Sequence, residues 1–366
     1  MISFTPSEEQ QMVVDAVHAF AEEQMRPAAH EADESGLPPE EIIQTGWEIG
    51  LLPGAIPEEL GGFGEHSAVT GVLAAEELAW GDLSLALHIM TPALFALPIL
   101  LCGTEDQQAR YLPDVCTDRF PSLTAAVIEP AIRYDPRRPA TTATPDAAGS
   151  WVLDGRKTYV PLAAEAERIL VFAGDSETGQ VHGFVVDRDA NGVAIGERNR
   201  LMGLRALPTY DVTLSDVVVG VERRLGGEAG TDFQRILNHF WVASAALAVG
   251  VARGAYEYAR DYAKERVQFG KPIAQKQAIA FLLAEMAIEV DATRLMVWEA
   301  AWKLDRRQDA TREAYLARQY AQDMVLFVTD SAVQVLGGHG YIRDHPVERW
   351  LRNGRGFATF DGLAIV

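Results

Sequence analysis

A chain of 366 residues, 48% apolar and 23% charged, has the balance of a soluble globular protein and room for two or three domains. Its net charge of −20 argues against a nucleic-acid partner, because neutralising phosphates needs a basic face; an anionic small ligand needs only local cationic pockets. Cys102 and Cys116 have no spacing for zinc or a disulfide framework and no secretory or transit pattern opens the chain, so reduced thiols and a cytoplasmic location are expected.

The first third reads as helical. Thr5-Pro6-Ser7 before Glu8 and Glu9 is a helix start with acid in its first turn. Met12, Val13, Ala16, Val17 and Phe20 then recur at helical spacing. Pro38-Pro39, Pro53, Pro57 and Gly61-Gly62 punctuate the connections that follow. Further helical segments are predicted over 69–80 and 84–101. The second is apolar enough to test as a membrane span, but His88, Pro92 and Pro98 break it, so buried helices and no membrane span are predicted.

The character changes near Phe120. WVLDG, RILVFA, GFVVD and YDVTLSDVVV read as short strands between Gly, Pro and Asp breakers. Residues 131–149, AIRYDPRRPATTATPDAAG, are predicted as a long surface loop. Its Arg133, Arg137 and Arg138 read either as an anion site or as a solvated charge cluster. Beyond Gly230 three long amphipathic runs, over 233–267, 275–306 and 311–336, precede a short helix after Pro346, and pack most simply as an antiparallel bundle. The chain thus divides into a helical domain (1–119), a β domain (120–229) and a helical bundle (230–366).

Two short runs in the last third carry chemistry-bearing residues. Arg266-Val267-Gln268-Phe269-Gly270 by itself reads as a helix end stopped by glycine, but an arginine fork also suits phosphate oxygens. Gln334-Val335-Leu336-Gly337-Gly338 by itself reads as a helix cap, yet paired glycines also let a backbone approach a phosphate or ribose closely. No strand precedes it and GxGxxG is absent, so it is no Rossmann fingerprint. Asp361-Gly362 by itself reads as a turn dipeptide.

Residues 265–287 (ERVQFGKPIAQKQAIAFLLAEMA) and 334–366, with their glycine cluster, Pro346-Val347-Glu348-Arg349 and Asp361-Gly362, closely resemble the C-terminal half of the acyl-CoA dehydrogenases. The α, β, α order, WVLDGRK (151–157), Met202-Gly203-Leu204-Arg205 and Asp216-Val217-Val218-Val219 resemble the rest of that family. The resemblance implies an α+β multidomain fold: an N-terminal helical domain, a middle β-barrel-like domain and a C-terminal four-helix bundle. It implies FAD as cofactor and α,β-desaturation of an acyl-CoA thioester, with electron-transfer flavoprotein as the electron acceptor. Arg266, Gln268, Phe269 and Gln277, with Gln334, Val335, Leu336, Gly337 and Gly338, are the positions it implies for FAD, held across a subunit interface. Asp361 stands where the family has its catalytic glutamate, and Gly362 falls at a substrate-binding position.

The chain departs from that pattern at several places. Ile128 precedes Glu129-Pro130 where relatives carry Thr or Ser, and Pro161 follows Tyr159-Val160 where they carry a hydroxyl. Phe240 occupies the alternative position of the catalytic carboxylate, leaving Asp361 as the candidate base. Asn238-His239-Phe240-Trp241 replaces a coenzyme A-holding stretch. The losses fall on the half-site for the subunit's own flavin, and the half-site lent to a neighbour survives. Hence a second expectation stands beside a desaturase homotetramer: a non-catalytic subunit of a heterotetramer, completing the FAD site of a sister chain. A third is an oxidase like the nitroalkane oxidases, which use an aspartate base.

Overall fold

In the computed structural model, residues 4–146, 149–359 and 362–366 are described. Ser7 caps the first helix, α1 (Glu8–Phe20): its hydroxyl accepts from the Gln10 N–H, and the Gln10 side chain accepts from the Ser7 N–H. That reciprocal pair satisfies two backbone donors that a helix start leaves bare. A π turn over Ala21–Met25 carries α1 into α2 (Arg26–Ser35), which stops at Gly36 in a left-handed conformation. Then come α3 (Glu40–Glu48), α4 (Ala68–Gly81), α5 (Leu83–Met90), α6 (Ala93–Cys102) and α7 (Glu105–Tyr111). The run 84–101 is therefore two helices, bent by 47°. The corner falls at Thr91-Pro92, where proline has no N–H to continue the first helix.

The middle of the chain forms a mixed sheet of β1 (Leu123–Ala126), β2 (Thr142–Pro145), β3 (Trp151–Pro161), β4 (Arg168–Asp175), β5 (Val181–Asp187), β6 (Val193–Arg198) and β7 (Thr209–Val219). Its order is β1-β4-β2-β3-β7-β6, with β5 paired to β4. β2 corrects the sequence reading, which had residues 131–149 wholly as loop. Ala143 faces the core while Thr142 and Thr144 face outward, and the strand pairs antiparallel to β3 through Thr142–Asp154 and Pro145–Trp151. Such a short, threonine-rich strand gains its stability from the neighbour it joins rather than from its own pattern.

The last third holds α8 (Phe233–Glu265), a two-stranded hairpin of β8 (Val267–Gln268) and β9 (Lys271–Pro272), α9 (Gln277–Asp305), α10 (Thr311–Leu336) and α11 (Val347–Gly354). Among the described residues α8 is the one helix long and apolar enough to cross a membrane, and 94% of that stretch is buried inside the protein. It is the core helix. Gly250 lets it touch α4, since a β-carbon there would lie 2.2 Å from the Glu76 carbonyl oxygen. Beside that contact Arg253 of α8 bonds Glu76 at 2.9 Å and Glu77 at 2.6 Å, and Arg294 of α9 also bonds Glu76. The N-terminal helices are thus bound to the bundle by both packing and paired charge.

Candidate active site

The two chemistry-bearing runs of the last third meet. α8 ends at Glu265, and the chain turns back through the β8–β9 hairpin at Phe269 (φ 53°) and Gly270 (φ 80°). Two successive left-handed residues are what a tight hairpin needs. Gly270 therefore turns this hairpin rather than ending the helix, a correction to the local reading. α10 stops at Leu336, followed by Gly337 at φ 58°. Arg266, Gln268 and Phe269 then face Val335, Leu336, Gly337 and Gly338 across one cleft of about 600 Å³. Gln277, the first residue of α9, and Gln334, exposed in the last turn of α10, adjoin this cleft in sequence without lining it.

The cleft is chemically suited to a dinucleotide. Arg266 makes no ion pair among the described residues. Lys276, also on the wall, lies 5.5 Å from the Phe269 ring. Phe269 is 92% exposed, so most of this flat apolar ring is open to a ligand. β-Carbons built at Gly337 and Gly338 meet nothing within 4 Å, so the backbone there is bare to an incoming phosphate or ribose. Cations, open glycine backbone and an exposed aromatic ring fit the diphosphate and ring systems of FAD.

Tyr262 and His339 line the same cleft and were not singled out from sequence. The Tyr262 hydroxyl bonds His339 Nδ1 at 2.7 Å, the Tyr258 hydroxyl bonds His345 Nδ1 at 2.7 Å, and the two imidazoles stack at 5.5 Å. The i, i+4 spacing of the tyrosines on α8 was visible, but their partners lie more than seventy residues away.

A second constellation forms where β1 ends. Lys157 of β3 is sealed from solvent, and its ammonium donates to Glu129 at 2.8 Å and to the Val127 carbonyl at 3.2 Å. The Tyr134 hydroxyl donates to that same carbonyl. Glu129 also accepts from the Ala140 and Thr141 N–H groups. Burial pushes Glu129 up, but the Lys157 charge and these bonds hold it below the ordinary carboxylate range; burial pushes Lys157 down to about 8. Against this rigid strand end lies Gly362, whose β-carbon would sit 2.7 Å from that of Val127. Asp361, the expected base, lies outside the described residues.

The departures from the family pattern are packed rather than empty. Ile128 is buried with its carbonyl accepting from the Thr158 N–H, and the Pro161 carbonyl accepts from the Thr124 hydroxyl. Phe240 is buried edge-on to Phe172, with ring centroids 6.2 Å apart. Arg137 pairs with its neighbour Asp135 at 3.0 Å with both groups well exposed, which supports the solvated-cluster reading of that loop.

Two further features bear on ligands and partners. An apolar cavity of about 460 Å³ lies among α1, α3, α4 and the α5–α6 corner. On the outside of the bundle, Phe281, Ile288 and Leu295 of α9 are exposed at seven-residue intervals, a stripe along one helix face. Leu316, Tyr320 and Phe327 of α10 are also exposed.

Comparison with known proteins identifies the family. Family models described as acyl-CoA dehydrogenase N-terminal, middle and C-terminal domains match residues 7–119, 124–217 and 230–364. The chain is 35% identical to the caffeyl-CoA reductase-Etf complex subunit CarC of Acetobacterium woodii, covering 98% of this chain and 96% of that protein. It is 32% identical to a 3-(aryl)acrylate reductase of Clostridium sporogenes, covering 98% and 96%. Among solved structures, butyryl-CoA dehydrogenase from Megasphaera elsdenii superposes with a TM-score of 0.89 at 30% identity over 99% of this chain and 96% of that one. Three domain matches in register, with relatives above 30% identity along nearly the whole length, show that the chain belongs to the acyl-CoA dehydrogenase family.

Proposed function

We propose that this protein is an FAD-dependent acyl-CoA oxidoreductase that desaturates a thioester between its α and β carbons, with Asp361 as the base. The observation that carries the reading is the convergence of Arg266, Gln268 and Phe269 with Gly337 and Gly338 on one open, cationic cleft. Arg266 would hold the diphosphate by charge-assisted bonds, and Phe269 would cover an aromatic ring of the cofactor.

In the reaction the α C–H bond breaks with its proton passing to the Asp361 carboxylate. The β C–H bond breaks with its electron pair leaving as hydride, and the C=C bond forms. FAD, when bound, supplies the two-electron acceptor for that hydride. The chain's contribution is placement. Gly362 leaves no gap against Val127, and Lys157 and Tyr134 fix the Val127 carbonyl, so Gly362 itself, the residue after the proposed base, is anchored to the middle domain. An aspartate reaches one methylene less far than a glutamate, and a misplacement of about 1 Å costs on the order of a hundredfold in rate. This anchoring therefore matters more here than in a relative with the longer base.

Two of the relatives are named as reductases. The same two hydrogens cross the same bond in either direction, so the electron partner sets the direction; an electron-transfer flavoprotein is that partner in this reading. The apolar stripes of α9 and α10 fit burial between subunits of a tetramer. Anaerobic mixing of the flavin-loaded protein with a panel of acyl-CoA thioesters tests the reaction. Bleaching of the flavin by one or more members is expected, and no bleaching by any would overturn it.

A second reading is favoured by Ile128, Pro161 and Phe240, which carry no hydroxyl or carboxylate at three positions where the family resemblance implies one. In it the chain is the non-catalytic member of a heterotetramer. It would then purify alone without colour and acquire flavin only with a sister chain; a fully flavin-loaded homomer rules it out.

A further inference from the structure

The chain after α10 folds back on it. Gly337–Tyr341 form a tight helical turn, and Gly340 lets that turn close, since a β-carbon there would lie 2.5 Å from the Val333 carbonyl oxygen. The return sets His339 on the wall of the cleft shared by Arg266, Lys276, Gly337 and Gly338. Among the described residues no aspartate or glutamate lines that cleft, although the chain carries a net charge of −20. A wall with cations and no carboxylate favours an anionic ligand.

His339 is held on two sides. Its Nδ1 is bonded to the Tyr262 hydroxyl at 2.7 Å. Its ring stacks on that of His345, with centroids 5.5 Å apart and 17° between the planes. His345 is in turn bonded to the Tyr258 hydroxyl, and the Tyr258 ring packs edge-on to buried Trp350. These contacts fix the plane of the His339 imidazole without any ligand. They also fix its proton. A phenol donates more readily than a neutral imidazole N–H, so Nδ1 accepts and Nε2 carries the ring hydrogen. In the imidazolium both nitrogens carry one, so Nε2 is a donor in either state. His339 is half-buried, and its Nε2 has no hydrogen bond among the described residues and is not sealed from solvent. With Nδ1 taken, Nε2 is the polar atom that this ring brings to the cleft.

We infer that His339 is a further cofactor-binding residue whose Nε2–H donates to a diphosphate oxygen of FAD, and that Tyr262 is a positioning residue that acts through it by setting its tautomer. The diphosphate is the anionic part of the dinucleotide. Arg266, Lys276 and the bare backbone of Gly337 and Gly338 stand on the same wall as this donor, so the diphosphate is where their hydrogens are best used. The inference rests on the reading that this cleft holds FAD, and the Arg266→Ala variant separates the two failures.

The experiment measures dissociation constants of the full-length apoprotein, in its own assembly, for FAD and for adenosine diphosphate, which carries the diphosphate without the flavin. His339→Leu should weaken both, roughly ten- to a hundredfold. His339→Gln, whose amide nitrogen reaches the place of Nε2, should recover part of the loss. His339→Asn, whose amide stands at the place of Nδ1, should not. Tyr262→Phe should weaken FAD about threefold to tenfold and should cost nothing further in a His339→Leu background, because its effect runs through the imidazole. An unchanged FAD constant in His339→Leu overturns the inference. So does a loss for FAD that adenosine diphosphate does not share, or a Tyr262→Phe cost that survives in the His339→Leu background. If His339→Leu does not fold, the amide variants decide: tighter binding by Gln than by Asn supports the inference, and equal binding overturns it. FAD held as tightly as before by both Arg266→Ala and His339→Leu sinks the cleft reading together with this one; a loss in Arg266→Ala alone sinks only the role of His339.

Discussion

Gly362 lies against Val127 so closely that a side chain on it would begin 2.7 Å from the Val127 β-carbon, and its φ of 80° is one that only glycine adopts freely. The residue next to the candidate base is thus pinned to the end of β1 by two independent constraints. Gly362→Ala should cost at least about 1–3 kcal/mol in strain alone and displace Asp361. A lowered thermal midpoint, with flavin reduction slowed more than thioester binding is weakened, is the expected result of melting and stopped-flow measurements.

Asp361→Asn removes the basic oxygen at nearly constant size. A general base contributes about 10²–10⁴ in rate, so reduction by thioester should fall by that factor while binding changes little. Single-turnover kinetics with an α-deuterated substrate check this: the residual rate should show a full primary isotope effect, because the α C–H bond must still break and its breaking now limits the rate.

Arg266 stands on the cleft wall with no ion pair among the described residues, so its replacement should act on the cofactor rather than on folding. Charged hydrogen bonds contribute about 1.5–3 kcal/mol, so Arg266→Ala should weaken FAD binding roughly ten- to a hundredfold. Arg266→Lys should recover only part, as a point charge lacks the fork. The flavin-to-protein ratio after dialysis, with an unchanged urea midpoint for the apoprotein, is the measurement.

Lys157 and Glu129 form a sealed ion pair. Removing one partner strands a buried charge, so Lys157→Met should destabilise by about 3–5 kcal/mol, and the double variant Lys157→Met with Glu129→Gln should recover part of that. Denaturant titration of the four proteins in this cycle gives the coupling directly.

Glu77 supplies a pH prediction. Burial pushes its carboxyl up, but Arg253 and His18 outweigh that and hold it below the ordinary carboxylate range. A depressed carboxyl stabilises the fold at pH above its ordinary value, and that contribution is lost as pH falls through the folded value. Stability should therefore drop on acidification below about pH 5, and Glu77→Gln should flatten that drop. Urea midpoints between neutral pH and pH 3 test it.

Much of the molecule is legible along the chain because helix and strand periods are local. The capping box at Ser7, the long runs that became α8, α9 and α10, and the breaks at prolines all follow from residues within a few positions of each other. β2 was not legible, because Thr142–Pro145 has no pattern of its own and exists through its pairing with β3. Lys157 was also hidden: a lysine in a strand reads as solvent-facing until Glu129, twenty-eight residues earlier, arrives to pair with it.

The sequence alone determined the family and the domain order, and it supplied the residues proposed here for the cofactor and the base, since these rest on motif spacing. Only the tertiary structure decided that Arg266 and Gly337 share one cleft with Tyr262 and His339, and that a volume among the N-terminal helices is left open. A cleft and a cavity are differences between the space that distant elements enclose and the side chains that fill it. No local pattern encodes that difference.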